Sequence, residues 1–239
     1  MKKAASISAA VLFALSLGGC AATDPNGQND PYEATNRDIF AFDQKADHAV
    51  ARPVAVFYNH AFPGIFREGV HNALSNLNSP VVFANDLLQG ETTRAGQTLG
   101  RAIVNTTFGL GGLVDFAAKI GMPGHDEDFG QTLGVWGANE GPYLVLPFAG
   151  PSNPRDLVGI GGDYAMDPFT WITFNNSTLW YGIRAGMGVI DVRARNVETL
   201  DQIERTSVDL YATTRSLYRQ HRNAEIRNGA PDTENLPNL

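Results

Sequence analysis

The sequence predicts a mainly α, single-domain protein of many short helices with a glycine-rich centre and little or no β structure. Three observations carry this. A capping side chain followed by proline recurs at Asp30-Pro31, Ser79-Pro80, Asn153-Pro154 and Asp167-Pro168, the signature of a helix start. Apolar residues return at three- and four-residue spacing before Gln89 and again beyond Asn176, as one face of a helix requires. Between them, residues 109–150 are broken by glycine, proline and aromatics, and only Tyr143-Leu144-Val145-Leu146 reads as extended, bracketed by Pro142 and Pro147.

The chain opens with Lys2 and Lys3, an apolar run from Val11 to Leu17, and Gly18-Gly19-Cys20. These are the parts of a secretory signal, and the apolar run is far short of the ~20 residues a bilayer span needs. Leu17-Gly18-Gly19-Cys20 resembles a bacterial lipobox, so cleavage is expected between Gly19 and Cys20, with Cys20 acylated as the first mature residue. One acyl chain binds a membrane marginally at ~0.8 kcal/mol per buried methylene, whereas the two or more chains of a lipoprotein cysteine hold firmly. Ala21 stands where aspartate usually signals inner-membrane retention, which by analogy directs the protein to the outer membrane. Residues 20–29 form the acylated cysteine and a polar tether.

A domain over 30–228 follows. Asp30, Pro31 and Glu33 open a helix running to about Val50, with Ile39, Phe42, Ala46 and Val50 on one stripe. Pro53 starts a short segment through Tyr58. Phe66, Val70, Leu74 and Leu77 mark a helix expected to stop before Pro80. Pro80–Gln89 is another, with Gly90 as its C-terminal cap, and Thr92–Phe108 continues the series. After the centre, Ile190, Ala194, Val197, Leu200 and Ile203 form one stripe, and Leu210, Thr214, Leu217 and His221 a weaker one. Residues 229–239 read as a loose tail.

Composition excludes several functions. Removing residues 1–19 takes away two lysines and no acid, moving the formal charge from −7 to −9. No general nucleic-acid binder is expected from so acidic a chain. Cys20 is the only cysteine, so once acylated it leaves no thiol for a disulfide, a zinc site or a nucleophile. Gly-x-Ser-x-Gly is absent, and Gly186-Met187-Gly188 lacks the third glycine and preceding strand of a dinucleotide site. Asp128-Phe129-Gly130 lacks every companion motif of a kinase. No enzyme is expected.

His125-Asp126-Glu127-Asp128 is the one run with the look of metal ligands. Adjacent residues rarely close a coordination shell, so a solvated acidic loop capping the helix after Asp128 is expected, with no metal and no cofactor. The final helices hold eight arginines against six acids, and a solvated face with Asp191/Arg195 and Asp201/Arg205 pairs is favoured over contact with lipid phosphates. Phe40, Phe42, Phe57, Tyr58, Phe62 and Phe66 suit either core packing or the headgroup region of a bilayer.

Several blocks, in order, resemble the VacJ/MlaA lipoprotein family. They are Asp30-Pro31-x-Glu33-x-x-Asn36-Arg37 with Phe40-x-Phe42, Arg52-Pro53-Val54-Ala55, and Asn85-x-Leu87-Leu88-Gln89-Gly90. Stronger still are Arg101-x-x-x-Asn105-Thr106-x-Phe108-Gly109-x-Gly111-Gly112-x-x-Asp115 and Phe129-Gly130-Gln131-Thr132-Leu133-Gly134-x-Trp136-Gly137. The resemblance implies a helical ring around an amphipathic channel, seated in the inner leaflet of the outer membrane beside a trimeric porin. It implies phospholipid cargo, taken from the outer leaflet and handed to a soluble periplasmic carrier. On that basis Asn36, Phe40 and Phe42 are expected to control access from the inner leaflet, and Gly109, Gly111 and Gly112 to shape the channel. An anchored structural or adhesion lipoprotein without cargo is the competing expectation, and a periplasmic hydrolase a weaker one.

Overall fold

A computed structural model describes residues 29–173 and 175–230. The expected leader, Gly19–Cys20 cleavage site and tether through residue 28, and the expected tail beyond residue 230, lie outside the described residues. The helices are α1 (Glu33–Ala46), α2 (Arg52–Ala61), α3 (Gly64–Leu88), α4 (Thr92–Thr107), α5 (Phe116–Lys119), α6 (Phe129–Val135), α7 (Pro154–Met166), α8 (Ser177–Arg195), α9 (Val197–Thr206) and α10 (Leu210–Ile226). A π-helical turn, Asp47–Ala51, joins α1 to α2, so the expected break before Pro53 is continuous helix. The extended piece at Leu144–Leu146 (β1) pairs antiparallel with Gly150–Ser152 (β2), Val145 opposite Pro151.

Two helix starts differ from expectation. The chain runs helically through Pro80, making α3 one helix of 25 residues. Pro80 lacks the N–H that would bond the carbonyl four residues back, and packing of α3 along α4 outweighs that local loss. Asp30 does not cap α1. Its carboxylate is buried and takes bonds from Asn36 Nδ2 (2.8 Å), Tyr211 Oη and Arg215 Nη1 (2.5 Å). Elsewhere the caps form as expected: Asn153 accepts from Asp156 N–H, Asp167 from Phe169 N–H and Asp128 from Gln131 N–H. Gly90, at φ +81°, closes α3 with bonds from Gly90 N–H to Leu87 O and from Glu91 N–H to Asp86 O.

Packing contacts close into a circuit. α1 meets β1, β1 meets β2, and β2 meets α10; α10 packs on α6, α6 on α7, and both on α3; α3 packs on α8, α8 on α2, and α2 returns through the π-turn to α1. The apolar core is small and split. Phe40, Tyr143, Val145 and Tyr211 form one cluster, and Ala55, Tyr58 and Ala194 the other. Ile190 and Val197 join the second as their stripe predicts, whereas Phe42 and Val50 of the α1 stripe are exposed. The buried face of α1 is centred on Asn36 and Phe40 instead.

Close helix approach depends on two glycines. A Cβ on Gly159 of α7 would sit 2.5 Å from Gly130 N of α6, and one on Gly162 would overlap the Phe129 ring. The same interface holds Asp163, whose Oδ1 accepts from Phe129 N–H (2.9 Å) and Asn85 Nδ2 (3.1 Å). Burial, the largest influence, pushes this carboxyl up to about 6 against those two bonds. A raised folded value means the native state holds the proton longer, so stability falls as pH rises from about 4 to about 6 and is level above. Asp163→Asn keeps the accepting oxygen and is expected to flatten that slope. At pH 7 it should gain about 1 kcal/mol in urea unfolding, a discounted figure for a partly exposed group.

Candidate functional site

Four residues of α3, Asn72, Ser75, Asn76 and Ser79, repeat at three- and four-residue spacing and so share one face. Thr98, Arg101 and Asn105 do the same on α4. These two polar faces, with His71, Asp115 and the loop Gly124–Asp126, enclose a cavity of about 250 Å³.

Its walls are fixed by side chains bonding across elements. Asn105 Nδ2 donates to Asp115 Oδ1 (3.0 Å), and Arg101 Nη2 donates to Asp115 Oδ2 (2.7 Å). Burial pushes the Asp115 carboxyl up, but Arg101 and donors from Ala118 N–H and Asn105 outweigh it and hold the group below its usual range. His71 Nδ1 lies 2.8 Å from Asp191 Oδ2 on α8, and His125 Nε2 lies 2.9 Å from Asp86 Oδ1. Asn76 Nδ2 donates to Thr106 Oγ1 at 3.0 Å. The histidines and Arg101 facing the cavity therefore each meet a carboxylate.

None of the predicted glycines lines the cavity itself; Gly112 and Gly109 lie behind its wall, against Asn76 and Asn105. Gly112, at φ +96°, lies so close to Asn76 that a Cβ would be 2.7 Å from Asn76 Cβ. Gly109 is packed against Val114 O and Asn105 O, while Gly111, at φ +73°, has open space where a Cβ would go. Asn36, Phe40 and Phe42 do not line the cavity. Asn36 is buried, donating to Asp30 Oδ1 and Tyr143 O (3.0 Å) and accepting from Val145 N–H (3.0 Å). Phe40 packs edge-on to Tyr211, and only Phe42 reaches the surface, edge-on to exposed Phe148 at 5.2 Å.

The acidic loop is not wholly solvated. Glu127 is buried, and Asp86 of α3 joins it and His125 in a cluster whose ligand-type atoms lie within 4.8 Å of one another. These three could in principle hold a cation. Arg94 already supplies positive charge, 2.5 Å from Glu127 Oε1, and Gln89 Nε2 donates to Glu127 Oε2 at 2.8 Å. Thr98 Oγ1 donates to Asp86 Oδ2 at 2.7 Å. The cluster is therefore a charge-matched, hydrogen-bonded network joining α3, α4 and the loop. Sequence reasoning missed Asp86 because it lies 39 residues from His125.

The C-terminal arginines form no solvated face either. The two pairs within helices exist, Arg195 with Asp191 and Arg205 with Asp201. Most of the rest tie helices to distant carboxylates: Arg184 to Asp167, Arg193 to Asp47, Arg219 to Glu140, and Arg222 to both Asp128 and Asp156.

The distribution of polarity is inverted. The largest fully buried side chains are Gln131, Asn85, Thr132 and Asp86. Ile65, Leu110, Phe148, Trp171 and Leu179 are among many large apolar side chains left exposed, Ile65 at 84%. No helix among the described residues is long and apolar enough to cross a membrane. So much exposed apolar surface, beside so many buried polar side chains, is what an interaction surface for membrane or protein presents.

Comparison with known proteins agrees. The model of the MlaA lipoprotein family matches residues 28–225. An intermembrane phospholipid transport system lipoprotein of Haemophilus influenzae is 34% identical over 98% of this chain and 96% of its own length. Its counterpart in Escherichia coli is 32% identical over 95% and 93%. A solved structure described as the structural basis for maintenance of bacterial outer membrane lipid asymmetry matches with TM-score 0.74 and 30% identity, covering 82% of this chain and 98% of that one. With this match over nearly the whole described fold, the chain belongs to the MlaA lipoprotein family.

Proposed function

We propose that this chain is an outer-membrane lipoprotein that removes mislocalised phospholipids from the outer leaflet and passes them to a soluble periplasmic carrier. It sits in the inner leaflet of the outer membrane, anchored through Cys20 and associated with a trimeric porin. The inverted polarity carries the reading. Apolar side chains facing outward suit acyl chains, and the polar walls of α3 and α4 suit a headgroup. Transport here moves a lipid without covalent chemistry, so no residue acts as a catalyst.

In this reading Gly109, Gly111 and Gly112 form the turn that sets the cavity wall against Asn76. Phe42, paired with Phe148, is the access rim, and Asn36 and Phe40 act through it by fixing α1 to β1 and α10. The names of the relatives support phospholipid as cargo. The test is a strain lacking the gene, supplied with wild type or Cys20→Ala and assayed for phospholipid exposed on the cell surface. Wild type is expected to return surface phospholipid to its normal level. Cys20→Ala is expected to lose outer-membrane fractionation and clearance together. No phospholipid rise in the deleted strain would overturn the proposal.

A further inference from the structure

A second, smaller cavity of about 110 Å³ lies where the α2–α3 elbow meets α8, lined by Tyr58, Asn59, Arg67, Glu68, Asp191 and Arg195 among others. Two of its buried donor atoms have no hydrogen-bond partner in the protein: the Tyr58 hydroxyl and Arg67 Nε. Tyr58 is itself 5% exposed, so water from the surface does not reach its hydroxyl freely. Burying a donor without an acceptor is unfavourable, and two such donors at one small cavity point to an oxygen-rich occupant.

The charges around the cavity define that occupant further. Asp191 is matched by His71 (2.8 Å) and Arg195 (3.2 Å), and Glu68 is an exposed rim residue. Among the described residues, no carboxylate lies within ion-pair distance of Arg67; its Nη1 donates to Asn59 Oδ1, and Asn59 Nδ2 in turn donates to Ala194 O at 2.8 Å. The guanidinium is thus oriented by an amide and keeps its charge for a partner. Arginine with an adjacent hydroxyl is the pairing that tetrahedral oxyanions favour, because the planar fork offers parallel donors to two oxygens.

The surroundings are apolar. The Tyr58 ring packs on Phe62 (5.4 Å between centroids) and Phe62 stacks on Phe66 (4.9 Å). Phe62 and Phe66 are both exposed, as are Phe57 and Ile65 on the same elbow. An oxyanion attached to an apolar body fits both halves of this feature, and the cavity admits a phosphate group but not a large headgroup.

We propose that Tyr58 and Arg67 form a phosphate subsite, taking the phosphodiester of a glycerophospholipid whose acyl chains lie against Phe62 and Phe66. The subsite deepens the lipid-transfer reading above and rests on it for the source of the lipid. Free phosphate offers the same oxyanion, so the test separates the two.

Delipidated full-length protein in non-ionic detergent is titrated calorimetrically with dihexanoyl phosphatidylethanolamine, with dihexanoylglycerol and with inorganic phosphate. The phospholipid is expected to bind more tightly than the phosphate-free diacylglycerol. Arg67→Gln is expected to weaken phospholipid binding about tenfold and Tyr58→Phe about threefold, with Arg67→Lys between wild type and Arg67→Gln. Tyr58→Phe discriminates strongly, because deleting an unpaired hydroxyl that serves no ligand would leave binding unchanged and raise the melting temperature. Unchanged phospholipid affinity in folded Arg67→Gln overturns the subsite. Should that variant not fold, failure of inorganic phosphate to compete with the phospholipid on wild type overturns it equally. Arg67-dependent binding of inorganic phosphate alone overturns the lipid assignment. Surface phospholipid in the complemented strain is read separately, so a failed subsite leaves the transport reading standing, and a failed complementation does not touch the binding result.

Discussion

Gly112→Leu is expected to abolish clearance of surface phospholipid while leaving the protein in the membrane fraction. At φ +96° any L side chain is strained by about 1–2 kcal/mol. The new Cβ would also stand 2.7 Å from Asn76 Cβ and 2.8 Å from its Nδ2. Asn76 would have to leave Thr106 and swing into the polar cavity it lines. Overpacking of this kind adds about 1–3 kcal/mol, so the domain should remain folded but less stable. Gly111→Leu is the matched control. It carries the same class of backbone strain at φ +73° but meets nothing within 4 Å, so its clearance is expected to fall much less than that of Gly112→Leu. Normal clearance by a folded Gly112→Leu variant would remove this turn from the transport path.

Arg222→Ala is expected to produce the largest loss of stability. Arg222 bonds Asp128 through both terminal nitrogens (2.7 and 2.9 Å) and Asp156 through Nε (2.9 Å), joining α10 to the starts of α6 and α7. Removing it leaves two carboxylates facing each other's charge with little water, a change that costs about 3 kcal/mol where one partner is a third exposed, as Asp128 is. The thermal midpoint should fall by roughly 6–12 °C for a domain of this size.

The pH dependence of the wild type gives a second check. Burial pushes Asp128 and Asp156 up, but Arg222 and their other donors outweigh it and hold both carboxyls below their usual range. Depressed folded values mean that the stabilisation is complete above about pH 4 and is lost as pH falls through those values. The gap between wild type and Arg222→Ala, measured by urea unfolding, should therefore narrow below pH 4. An equal gap at pH 3 and pH 7 would show that Arg222 acts through packing of its stem alone.

Helical content, the order of the elements and the glycine turns followed from local chemistry. Gly90 caps α3 because only a residue tolerant of positive φ fits there, and Asn153, Asp167 and Asp128 cap because a short acceptor precedes free N–H groups. Pro80 misled because proline's local cost is visible in sequence while the α3–α4 packing that absorbs it is not. The polar stripe Asn72, Ser75, Asn76 and Ser79 was legible as a period but gave no hint of what it faced. Asp30 and Asn36 showed the residue types of a helix start, yet their partners Arg215, Tyr211 and Tyr143 lie more than a hundred residues away.

By itself the sequence determined the mainly helical architecture and, through ordered blocks, the family. Both reside in short stretches, where neighbouring residues decide the outcome. Tertiary structure decided which side of each helix is inside. A 3.6-residue period separates an apolar face from a polar one, but it does not say whether the apolar face meets protein or lipid. Here buried polar side chains such as Asn85, Thr132 and Asp86 find partners on other elements inside, leaving Phe57, Ile65 and Leu110 outside. That arrangement follows from hydrogen-bond partners brought together over long separations in the chain, which no local pattern records.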